Sequence, residues 1–87
     1  MHGVIVKVTI NDDEAATTVL REDVVPRVSQ APGFVTGYWT RKDNSGLSLI
    51  VFESEDAARA VSEQIRAMAP EAVTVDDVEV REVVANA

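Results

Sequence analysis

Few residues in this chain can do chemistry, and most of the aromatic ones sit together. The segment Ala31-Pro32-Gly33-Phe34-Val35-Thr36-Gly37-Tyr38-Trp39-Thr40-Arg41 holds the chain's one Tyr, its one Trp and one of its two Phe. Aromatic walls with one or two fixed polar groups are what a pocket for a planar apolar compound requires. Phe34, Tyr38, Trp39 and Arg41 are therefore the candidate ligand-binding residues, with Arg41 suited to a ligand carboxylate. Each also has a plainer reading, favoured when the residue is taken singly. Trp39 can anchor a subunit interface, Tyr38 can simply pack, and Arg41 can form a rim salt bridge.

The other chemistry-bearing groups are isolated. His2, the one histidine, stands at the N-terminus, where a surface role is expected. Asp76, Asp77 and Glu79 are acidic enough to suggest a cation, yet neighbours in a strand point to opposite faces, so a solvated bend is the stronger reading. No Ser-His-Asp set, phosphate-binding glycine loop or carboxylate pair stands out. No catalytic residue is assigned, and neither a metal nor a cofactor is expected.

The bulk properties narrow the class. Eighty-seven residues make one domain, 1–87, with a modest core. There is no Cys, so disulfides are excluded and a reducing, cytoplasmic setting is expected. Oligomerisation is the remaining way to reinforce so small a domain. A net charge of −7 argues against a nucleic-acid partner. No apolar run is long enough to span a membrane, and no signal peptide is visible. Arginine outnumbers lysine, and Ala and Val are abundant, which suggests a bacterial source.

The elements that must position these groups follow from periodicity. Val4 to Ile10 alternates as a strand with one wholly apolar face. Asn11-Asp12-Asp13 supplies helix-start chemistry. Ala16, Val19, Leu20, Val24 and Val28 then mark a helical stripe, which Pro26 must kink or end near Val25. Phe34 to Arg41 and Leu47 to Phe52 read as two strands of a hairpin across the turn-rich 42–46. Ser54 caps a second helix whose stripe is Ala57, Ala58, Val61, Ile65 and Met68, with Pro70 as its stop. Val73 and Val75 are out of phase with Val78, Val80 and Val84, so a bend or bulge is expected at Asp76-Asp77, with the main strand starting at Val78. The order β-α-β-β-α-β predicts an α+β, ferredoxin-like domain: a four-stranded antiparallel sheet with two helices on one face.

Two helices leave the other sheet face open. Placing the uniformly apolar rows under the helices puts Val4, Val6, Val8 and Ile10, then Leu47, Leu49 and Val51, then Val78, Val80 and Val84 on the covered face. The open face then carries Ile5, Ile50, Phe52 and Val83 among polar residues. A four-residue hairpin loop sets Tyr38 beside Leu49 on the covered face, and Trp39 and Arg41 on the open one; a three- or five-residue loop reverses this. The first register is preferred, since Arg41 would then lie near Glu79 or Ser48. Ile5, Trp39, Ile50, Phe52 and Val83 are thus the candidate interface of a homodimer.

The same order, with a helix running into APGFVTGYWTR and a later LIVFESEDAARA, resembles the dimeric α+β barrel superfamily. Within it the chain resembles small stand-alone proteins related to the antibiotic biosynthesis monooxygenases. In these a Pro-Gly-Phe segment leads into the second strand, and a phrase like Val51-Phe52-Glu53-Ser54-Glu55-Asp56-Ala57 joins the third strand to the second helix. The resemblance implies sheets paired face to face, and one of three roles: cofactor-independent oxygenation of aromatic polyketides, haem degradation, or no known activity. Family enzymes use an Asn on the first strand, a Trp near the second helix and, in haem degraders, a His on that helix. Here Asn11 ends the first strand, and the second helix has neither Trp nor His, which counts against haem degradation. Two functions remain open: a monooxygenase-like enzyme or binder of a small aromatic metabolite, and a non-catalytic dimeric module whose aromatics are structural.

Overall fold

The computed structural model describes residues 1–67 and 72–87. Four strands, β1 (His2–Ile10), β2 (Phe34–Lys42), β3 (Ser45–Phe52) and β4 (Val73–Glu82), form one sheet in the order β2-β3-β1-β4. All three strand pairs are antiparallel. The connections between β1 and β2 and between β3 and β4 are helical, and both helical segments lie on one face. This is the ferredoxin-like arrangement expected from the element order.

The first helical segment has three parts. α1 (Asp13–Val19) starts where expected, with Asp12 Oδ1 accepting from the Ala15 N–H at 3.1 Å. A π-helical turn, Leu20–Val24, follows, and α2 (Val25–Ser29) carries Pro26 in its first turn. In a continuous α-helix Pro26 would clash with the Glu22 carbonyl and leave it without its donor. The chain instead widens ahead of the proline, and the Val25 N–H bonds the Leu20 carbonyl five residues back. The expected kink is thus realised as a π turn, within a segment that continues to Ser29.

α3 (Glu55–Ala67) is capped by Ser54, whose Oγ accepts from the Ala57 N–H at 3.2 Å. Its Ala58 and Val61 are buried. The anticipated Met68 contact and Pro70 stop lie outside the described residues. Beyond them, β4 begins at Val73, earlier than expected. The register slips between Lys7 and Val8, where Asp77 pairs with Lys7 and Val75 with Val8. Asp76 is therefore the bulged residue, and its Oδ2 accepts from Thr9 Oγ1 at 2.7 Å. The bulge returns Val75 to the side of Val78, so both contact the core despite their odd spacing.

The core corrects the expected face of β3. Val4, Val6, Ile50, Phe52, Ala58 and Val61 are all buried together. Ile50 is 1% exposed and Phe52 0%, so both lie under the helices and neither can serve an open-face interface. Leu47 and Leu49, expected there, are 48% and 40% exposed on the other side. The cause is size. The row Gly46-Ser48-Ile50-Phe52 places large residues where α3 packs and small ones where it does not. Phe52 meets Phe34 edge to face, with centroids 6.1 Å apart, a favoured aromatic geometry. Val84, expected on the covered face, follows the last strand and is 87% exposed.

Candidate functional site

A cavity of about 480 Å³ opens between the sheet's covered face and the first helical segment. It exists because the two layers do not close there. Neither α1 nor the π turn buries any residue completely. Beneath them the sheet offers Ser48, whose small side chain leaves room, while Val8 lies over Gly46, where a Cβ would stand 2.6 Å from Val8 Cγ2. Val6, Val8 and Ile50 form the floor, and Ala16, Leu20 and Val24 the roof. These last three belong to the predicted helical stripe.

Trp39 forms one wall. It pairs in register with Ser48, as Tyr38 does with Leu49. The pairing is the expected one, made by a two-residue loop, Asp43-Asn44, with Asp43 at φ 56°. Two residues and four leave the same parity. The faces, however, are exchanged along with those of β3. Trp39 lies on the covered face, packed against the core, and so is not an open-face anchor. Tyr38 is 63% exposed on the open face.

The four candidate pocket residues therefore separate. Trp39 and Arg41 line the cavity together. Phe34 is committed to Phe52, and Tyr38 lies on the other side of the sheet. Arg41 reaches neither Glu79 nor Ser48; it forms an ion pair with Asp13 at the start of α1. Glu79 instead pairs with Arg81 on its own strand, at 2.6 Å.

Sequence reading missed the most telling polar group. Ser48 is 8% exposed, lines the cavity, and its hydroxyl has no hydrogen-bond partner among the described residues. The hydroxyl is not sealed off: the one buried side-chain polar atom without a partner among the described residues is His2 Nδ1, so Ser48 Oγ is open to the cavity and available to a bound molecule. The signal was present as the single serine within Leu47 to Phe52, a run otherwise apolar. Asp23 and Arg27, an i,i+4 ion pair at 2.9 Å, stand at the rim with Arg21 and Gln64. His2 is remote from the cavity; its Nε2 lies 3.4 Å from Glu55 Oε2.

On the open face, Ile5, Tyr38, Leu47 and Leu49 are apolar or aromatic, with Tyr38, Leu47 and Leu49 exposed. Gly3 lets Leu49 approach closely, since a Cβ there would stand 3.1 Å from Leu49 Cδ1, while Val83 Cγ2 at 3.8 Å is at ordinary contact distance.

No protein-family model matches the chain, and no curated protein matches it in sequence. Among solved structures, the chain is similar to the haem degrader MhuD from Mycobacterium tuberculosis, determined with two haems bound in its active site. The two are 21% identical, with a TM-score of 0.53, and the match covers 97% of this chain and 98% of MhuD. The ferredoxin-like fold is shared from end to end. That is the single-chain fold the sequence resemblance implied. Among the described residues, no helix is long and apolar enough to cross a membrane.

Proposed function

We propose that this chain binds a small, largely apolar ring compound in the cavity between its first helical segment and its sheet. The observation that carries this reading is the unpartnered Ser48 hydroxyl on the floor of an apolar cavity walled by Trp39. Apolar walls supply most of the binding energy, and one or two polar groups orient the ligand. The cavity volume falls within the range of about 300–1,000 Å³ typical of small-molecule sites.

Binding is favoured over turnover by the lining itself. Asp23 is the one carboxylate among the described lining residues, and Arg27 already holds it. MhuD is described as a haem degrader, but haem does not fit the residues here. The described lining contains no His, Cys, Met or Tyr to ligate iron. The chain's one histidine faces Glu55 instead.

The open face supports a second part of the proposal, a homodimer formed sheet to sheet. Its residues are Ile5, Tyr38, Leu47, Leu49 and Val83. The expected members Ile5 and Val83 remain in this set; Tyr38, Leu47 and Leu49 replace Trp39, Ile50 and Phe52. A cytoplasmic location is consistent with the absence of cysteine.

Trp39 is the only tryptophan, so its fluorescence reports on the cavity without labelling. Titration with 2-naphthylmethanol should quench it saturably, with one site per chain, and Ser48→Val should weaken binding. A linear, unsaturable response would refute the ligand-binding reading.

A further inference from the structure

The cavity's charge runs against that of the molecule. The chain carries a net −7, yet Arg21, Arg27 and Arg41, half of its six arginines, line this one site. Asp23 is the only counter-charge among the described lining residues. Two of the arginines have partners: Arg27 pairs with Asp23, and Arg41 with Asp13. Arg21, in the π turn, has no ion-pair partner among the described residues.

We infer that the ligand is an anion: an apolar ring compound bearing a carboxylate, with its ring between Trp39 and Leu20 and its acid group at Arg21. This rests on the ligand-binding reading above and narrows its class. The guanidinium is a planar fork that matches a carboxylate in two parallel hydrogen bonds. A positively lined cleft with low-dielectric walls concentrates anions, even on a molecule that repels them elsewhere. Ser48 adds a second point of recognition on the sheet. It stands two residues along the hairpin from the Arg41–Gly46 pair, about 6.6 Å at strand spacing. A ring hydroxyl or carbonyl reaching the floor while the acid stays at the rim satisfies both groups. The π turn places Leu20 and Arg21 side by side on the cavity, and such turns recur at ligand sites.

The test compares two probes of nearly equal shape on the intact chain, 2-naphthoate and neutral 2-naphthylmethanol, by calorimetry at low ionic strength. Naphthoate should bind at least roughly tenfold more tightly, the effect of one charge-assisted contact. Arg21→Gln should remove most of that preference, and because Arg21 is exposed on the surface the variant should fold normally. Equal affinity for the two probes would overturn the anion assignment and leave the ligand-binding reading standing. So would an R21Q variant that keeps the full preference. If neither probe binds, both readings fall.

Discussion

The Trp39 indole lies across Gly37, two residues earlier on the same strand. A Cβ built on Gly37 would stand 2.8 Å from Trp39 Cη2 and 2.9 Å from Cζ3. Those separations are shorter than side-chain carbon atoms tolerate, so the glycine is what allows the ring to lie against the sheet and wall the cavity.

Gly37→Ala should therefore displace the indole. The expected cost is about 1–3 kcal/mol, typical of inserting a methyl group into a packed site. Urea denaturation measures it. Trp39 emission should shift to longer wavelength as the ring moves toward water. An unchanged spectrum and midpoint would mean that the indole is not held as described.

Trp39→Ala should weaken the cavity and leave the assembly alone. The ring is half-buried, so the loss of stability should be roughly 1–3 kcal/mol, below the ~3–5 kcal/mol of a fully buried aromatic. Sedimentation should be unchanged, because Trp39 lies on the covered face. Dissociation of a wild-type dimer by this change would return Trp39 to the interface.

Phe52→Ala tests the corrected face of β3. Phe52 is completely buried against Phe34 and the core of the helix-covered side. Its truncation should cost about 3–5 kcal/mol by thermal or urea unfolding. An open-face residue would instead change the oligomeric state with little effect on unfolding at high protein concentration.

The element order was legible because alternation, caps and turn residues agree along the chain. Asp12, Ser54 and the Asp76 bulge were all visible as local chemistry. The faces were harder. Both rows of β3 are largely apolar, and Ser48 made the buried row look like the polar one. Smallness mattered more than polarity: Ser48 leaves room beside Trp39, and only a glycine at 46 lets Val8 lie over that end of the strand. Hairpin parity was read correctly for Tyr38 with Leu49 and Trp39 with Ser48, so a single inverted strand carried Trp39 to the wrong side with it. The Asp13–Arg41 pair joins residues far apart in sequence, and no local pattern marks it.

Leu49→Glu probes the open face. If two sheets pair there, a charge beside Tyr38 and Val83 should dissociate the dimer, because an uncompensated buried charge is costly. Analytical ultracentrifugation of the wild type should give twice the 9.4 kDa chain mass. Its melting temperature should rise with concentration. A wild type that sediments as a monomer at micromolar concentration would defeat the sheet-to-sheet dimer.

The most direct test of the cavity as a ligand site is a crystal structure of the chain soaked with 2-naphthoate. The ring should lie between Trp39 and Leu20, above Ser48, with the carboxylate at Arg21. A cavity empty of probe, or probe bound only on the open face beside Tyr38 and Leu49, would contradict it.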